Sequence, residues 1–166
     1  KERNTDEAIL YYKKAISVNS DYYKAYYSLA TLYMNTNPNE SKSYLKKVIS
    51  IKPDYSKAYE TLGILNIQLG ENTEALENLL LVSELDSKSY KCNYLIADIY
   101  NQEAAPLKSK ELFNFAKQYA KKAIEIKRNC APAFFHLGIA EKGLGNKPAA
   151  RDAFEKAKTN KDWRAS

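Results

Sequence analysis

The 166 residues carry 26 Lys plus Arg, 20 Asp plus Glu and one His, a formal charge of +6, and 45% of them are hydrophobic. That is enough apolar material for a packed core, in one domain or one array of small units, and the composition is neither disordered nor collagen-like. It excludes a spanning helix, because no apolar run approaches the roughly 20 residues one needs, and two Cys with one His count against a disulfide framework or a structural zinc site.

Helical periodicity and boundary residues predict nine helices, near 5–18, 22–35, 38–51, 56–69, 72–85, 89–103, 108–127, 131–144 and 147–158. Most are about 14 residues, roughly 20 Å long at 1.5 Å per residue. Asn37-Pro38 reads as an N-cap followed by Pro at the first helical position. Gly70 and Gly145 fall just after the fourth and eighth helices, where a left-handed turn costs Gly little. Pro132 and Pro148 sit in first turns, where a missing N–H costs nothing.

The helices pair into a repeat. Lys24-Ala25-Tyr26, Lys57-Ala58-Tyr59, Lys91-Cys92-Asn93 and Pro132-Ala133-Phe134 occupy one position, with steps of 33, 34 and 41 residues. A second ladder, Ser20, Pro53, Ser87, Arg128 and Asp162, steps by 33, 34, 41 and 34. Both place seven extra residues inside one unit, between its two halves. Within the third unit Tyr59, Leu62, Gly63, Asn66, Gly70, Ala75, Leu79 and Val82 recur at helical spacing. The fifth matches with Phe134, Leu137, Gly138, Glu141, Gly145, Ala150, Phe154 and Ala157.

This pattern resembles the tetratricopeptide repeat, a helix-turn-helix unit of 34 residues. The second unit fits it through Tyr26, Leu29, Ala30, Tyr33, Leu45, Val48 and Pro53, and the fourth more weakly through Ile96, Ala97, Tyr100, Ala116, Ala120 and Ala123. The expected fold is all-α, a right-handed α-α superhelix (a tetratricopeptide solenoid) of about nine helices. Its expected divisions are a half repeat with helix B only at 1–22, then 23–55, 56–89, 90–130 with the insertion, and 131–164. Ala30, Gly63, Ala97 and Gly138 are the small residues that let helices A and B approach. Tyr12, Tyr26, Tyr33 and Tyr59 are read as core keys. Because the chain opens in mid-unit, does not begin with Met and closes on Asp162-Trp163-Arg164-Ala165-Ser166, a piece of a longer array with open ends is expected.

In this family helix A lines the concave surface. Its non-core positions here are Lys24, Tyr27, Thr31 and Asn35, then Lys57, Glu60, Ile64 and Gln68, then Lys91, Tyr94, Asp98 and Gln102, then Phe135, His136 and Ile139. Met34, Ile67 and Asn101 stand at the turn end. The resemblance implies a groove for a peptide or a partner helix, with three Lys on one rim, rings at Tyr27, Tyr94 and Phe135, and amides near the other rim. Ordinary solvated positions in a Tyr-rich chain are the alternative. Some members clamp the C-terminal carboxylate of chaperone tails with Lys, Asn and Arg. Aligned from the second unit those places hold Tyr27, Thr31, Thr61, Lys91 and Leu95, of which only Lys91 fits. One unit later they hold Glu60, Ile64, Leu95, Pro132 and His136, and none fits. That activity is disfavoured.

On the convex side Lys13-Lys14, Lys46-Lys47 and Lys121-Lys122 recur, but the third unit has Leu80-Leu81. One of these leucines is expected to be buried, by local packing or by another chain. The insertion, roughly 101–112 with Pro106 inside, reads as a longer A–B connection or a helix B started early at Lys108, and it stays a candidate binding element.

Charge runs +3 over 1–55, −4 over 56–89, +4 over 90–130 and +3 over 131–166, so the acidic middle breaks any continuous basic stripe and nucleic acid is disfavoured. Cys92 takes a small-residue place, as a packed thiol; Cys130 lies in a turn, a candidate for exposure. No Gly-rich phosphate loop or metal-ligand cluster is present, and no enzyme activity or cofactor is expected. The leading expectation is a protein-interaction scaffold. The second is a homo-oligomer assembled through open ends or the Leu80-Leu81 surface. Cys usage is compatible with the cytosol, slightly favoured, or with a secreted form.

Overall fold

The computed structural model describes residues 2–159, with side chains from Asn4 onward. The expected end at Asp162 to Ser166 lies outside them. Nine helices occur among the described residues: α1 (Glu2–Val18), α2 (Tyr23–Tyr33), α3 (Pro38–Ile51), α4 (Ser56–Gln68), α5 (Asn72–Leu85), α6 (Tyr90–Leu107), α7 (Lys110–Ile126), α8 (Ala131–Gly143) and α9 (Lys147–Thr159). The chain divides into two compact units, one through Leu81 and one from Val82, so the division falls inside α5.

In the first unit α2 and α3 pack as a pair. The Asn37 side chain accepts from the Glu40 N–H and Pro38 opens the helix, so α3 starts where the Asn-Pro signal put it. The core gathers Ala30, Leu45, Val48, Ala58, Leu62 and Leu65, all buried. Gly63 allows α4 to lie against α5: a Cβ there would stand 2.8 Å from Leu79 Cγ. The Ser41 hydroxyl donates to the Ala30 carbonyl at 2.7 Å across the buried α2–α3 contact, which satisfies a group that burial would otherwise penalise.

In the second unit Ala123, Cys130 and Ala133 form a core cluster with Tyr90, Tyr94 and Ile124 packed on it. Gly138 plays the part of Gly63, with the Phe154 ring 2.5 Å from where its Cβ would be. One contact recurs in both units. Lys52 lies over the Tyr23 ring at 5.7 Å and Lys127 over the Tyr90 ring at 4.6 Å, at matching repeat positions.

Several expectations change. Tyr12, Tyr26, Tyr33 and Tyr59 are half-buried rather than core, since a phenol fills the rim of a small helical layer and keeps its hydroxyl near water. Tyr44, whose hydroxyl donates to Glu40 at 3.0 Å, is pushed up to about 12 by burial first and that carboxylate second. Cys130 is buried, because it ends the loop as the residue before α8 and packs into the core cluster. Leu80 and Leu81 are both half-buried, neither in the core nor fully exposed.

For the insertion the second of its two expected readings holds, and only the end of α6 differs. There is no longer connection: α7 starts early, at Lys110, and α6 runs on through Pro106 to Leu107. The turn after α4 is closed by Glu71 N–H on the Asn66 carbonyl and Gly70 N–H on the Ile67 carbonyl, at 2.8 and 3.0 Å. After α8 the same pair runs from Asn146 to Glu141 and from Gly145 to Lys142, at 2.9 and 3.1 Å. After α6 it runs from Ser109 to Ala104 and from Lys108 to Ala105, at 3.1 and 3.4 Å. The repeat counterpart of Asn66 and Glu141 is Tyr100, four residues before Ala104, so about one helical turn is added to α6 and the other three residues lengthen α7. Both arms grow by about a turn, and the turn between them keeps its form.

Candidate functional site

The A-helix surface of the first unit comes from α2, α4 and the residues just after α2. Lys24, Thr31, Asn35, Lys57 and Gln68 are exposed there; Tyr27, Glu60 and Ile64 are half-buried. Tyr27 is not a free ring. It stands edge-on to Tyr55 at 5.4 Å, and its hydroxyl is 3.0 Å from Thr61 Oγ1. Thr61 spends its proton on the Lys57 carbonyl at 2.8 Å, which makes Tyr27 the donor in the first bond. Thr31 likewise donates to the Ser28 carbonyl at 2.8 Å.

In the second unit the surface comes from α6 and α8. Lys91 and Gln102 are exposed, and Tyr94, Asp98, Phe135, His136 and Ile139 are half-buried. Four of these meet. The Tyr94 ring stacks on His136 with centroids 6.4 Å apart and planes 6° apart, and Phe135 meets His136 edge-on at 5.5 Å. Asp98 Oδ1 is 3.6 Å from His136 Nδ1, too long for a hydrogen bond. Burial lowers the His136 pKa, and the Asp98 carboxylate opposes part of that shift. The imidazole is therefore neutral at physiological pH, an aromatic plate with a polar edge.

Asn101, expected among the groove amides, is buried instead and donates to the His136 carbonyl at 2.9 Å. It joins α6 to α8, which is why it cannot face a ligand. On the opposite side the Lys13-Lys14, Lys46-Lys47 and Lys121-Lys122 pairs are all exposed. Cys92 is buried and in no disulfide, and no group of three or more His, Cys, Asp or Glu able to hold a metal occurs among the described residues. No described helix is long and apolar enough to cross a membrane.

The tetratricopeptide repeat family model matches residues 1–22 and 23–55. No curated protein matches the chain. Among solved structures, MamA is 24% identical with a TM-score of 0.83, over 99% of this chain and 92% of that one. MamA residues 41 to the end from Desulfovibrio magneticus RS-1 are 17% identical with a TM-score of 0.81, over 98% and 88%. YrrB, described as a TPR protein with an unusual peptide-binding site, is 19% identical with a TM-score of 0.79, over 96% and 79%. Residues 1–55 thus carry tetratricopeptide repeat sequence, and nearly the whole length of the chain shares the fold of these repeat proteins.

Proposed function

We propose that the chain is a non-enzymatic protein-interaction scaffold whose A-helix surfaces hold an extended peptide or a partner's helix. The observation that carries the reading is the Tyr94, Asp98, His136 and Phe135 cluster, a pre-packed aromatic surface with a polar edge and Lys91 on the same helix. Rings held by their neighbours give up little entropy when a ligand covers them, so such a surface supplies contact area at low ordering cost. In the first unit Tyr27 is held in the same way by Tyr55 and Thr61. The peptide-binding site of YrrB lends support on the same fold.

Calorimetric titration with a panel of extended and helical peptides tests this. Tyr27→Ala, Tyr94→Ala and Phe135→Ala together should weaken capture at least tenfold, about 1.4 kcal/mol, with helix content unchanged by circular dichroism. Undiminished capture would reject the surface as the site.

The second reading is self-association. Leu10, Tyr11 and Val18 favour it, at 67%, 69% and 83% exposure on α1, an apolar strip that two copies can cover. The Leu80-Leu81 surface, half-buried, is the other candidate for it. Light scattering that reports a monomer at every concentration would remove this reading and leave the first untouched.

A further inference from the structure

The added turns of α6 and α7 bring apolar and cationic side chains together at the tip of their hairpin. Ala105 and Lys108 from the end of α6, Lys110 and Phe113 from the start of α7, and Ile139, Lys142 and Gly143 from the end of α8 line an open depression of about 500 Å³. That volume suits a few residues of peptide. Its floor is apolar, with Phe113 buried and Ile139 half-buried. Its rim carries three ammonium groups, Lys108, Lys110 and Lys142, and no carboxylate lines it. None of the three lysines is in an ion pair among the described residues.

Two local features set this tip apart from the others. Gly143 stands where the other A helices have Asn35, Gln68 and Gln102, and a Cβ there would run into the Phe113 ring. The missing side chain admits the ring that the added turn brings. Lys108 adopts φ 49°, the left-handed region, at the turn position that Gly70 and Gly145 fill elsewhere. It is the one non-Gly residue with positive φ among those described, and a bulky residue in that region is a reason to look for a function. Here a cation replaces the hydrogen that would relax the turn.

We propose that this pocket binds an acidic peptide segment carrying one bulky apolar side chain. The apolar group covers Phe113 and Ile139 while flanking carboxylates pair with Lys108, Lys110 and Lys142. Uncompensated positive charge around an apolar floor is complementary to that chemistry and opposes a basic or uncharged segment. Because Ile139 also belongs to the A-helix surface, the inference extends the peptide-binding reading and names its partner's chemistry in the second unit.

The probe is a fluorescein-labelled octapeptide with one phenylalanine among glutamates, followed by anisotropy at 0.05 and 0.15 M salt. Two controls replace its phenylalanine with alanine or its glutamates with glutamine. The whole chain should bind the probe at least tenfold tighter than either control, with affinity falling as salt rises. Lys108→Gly with Lys142→Gln should bring the probe down to the level of the controls, and the unfolding midpoint should not fall for Lys108→Gly alone. Equal binding of the alanine control, or equal competition by inorganic tripolyphosphate, would mean bare charge attraction and overturn the pocket. If the lysine variant binds normally while Tyr94→Ala with Phe135→Ala does not, the A-helix surface stands and the pocket falls. The reverse result leaves the pocket standing without that surface, and no binding of any peptide by the unaltered chain overturns both.

Discussion

The hairpin of α4 with the start of α5 and the hairpin of α6 with α7 are closed by the same pair of backbone hydrogen bonds, yet one turns on Gly70 and the other on Lys108. In the first, local chemistry and fold agree: a glycine sits where φ is 76°. In the second the arms are longer, the glycine is gone, and a cation takes the strained place. The lesson is that a helical hairpin of this fold tolerates growth by whole turns. Four residues on one arm and three on the other keep both apolar stripes in register, so the core is undisturbed and only the tip changes. Variation is thereby confined to the tip, where a ligand can be met.

The largest expected effect tests the part that the two units share, the close crossing of helices A and B. Gly138→Leu should cost about 3 kcal/mol, because the new side chain displaces the Phe154 ring, which also packs on Phe135 at 5.9 Å. Gly63→Leu meets the more adaptable Leu79 and should cost about 2 kcal/mol. Chemical denaturation measures both, and equal costs would mean that the two crossings are equally forgiving.

A smaller effect separates the ends of α4 and α8. At one repeat position the first unit has Asn66 and the second Glu141, both buried. Asn66 Oδ1 has no hydrogen-bond partner, whereas Glu141 takes Lys117 at 2.8 Å and Asn146 Nδ2 at 2.8 Å. Burial pushes the Glu141 carboxyl up, but those two hydrogen bonds and the charges of Lys117 and Lys121 outweigh it and hold the pKa below the ordinary 4.5. The stability it contributes is therefore complete above pH 4.5 and is lost as the pH falls through the lower, folded value. Glu141→Ala should cost about 2 kcal/mol at neutral pH, and Glu141→Gln should flatten the acid limb of the stability profile. Asn66→Leu should instead raise stability by about 1 kcal/mol, since it removes an acceptor that burial leaves unpaired.

Most of the helix boundaries were legible because each had a local cause: Asn37 with Pro38, Gly70, Gly145, and the Pro residues of first turns. What misled was a turn without such a cause. Lys108 carries no left-handed signature, and Pro106 reads as a break, although in a last turn it forfeits one hydrogen bond and leaves the helix otherwise intact. The A-helix surface was legible as a set of positions but not as a set of free groups. Nothing in the spacing showed that Tyr27 is tied to Thr61, that Asn101 reaches the His136 carbonyl, or that Cys130 turns inward. Those are pairings between helices, and the period of one helix holds no information about its neighbour's side chains.

The smallest effect is the most informative about the tip. A left-handed Lys costs about 1 kcal/mol relative to a glycine in the same conformation, while glycine gives back part of that through the greater freedom of the unfolded chain. Lys108→Gly should then stabilise the protein by about 0.5 kcal/mol, measured as a rise in denaturant midpoint with unchanged slope. Gly70→Lys should destabilise by a similar amount, because φ there is 76° and a Cβ meets nothing within 4 Å, so only the backbone cost applies. If both signs hold, the turn of α6 and α7 keeps a residue that its own stability disfavours, and a reason outside folding must hold the lysine in place. If Lys108→Gly destabilises instead, the lysine stem is packed as a strut on the turn, and its charge over the Phe113 floor is incidental.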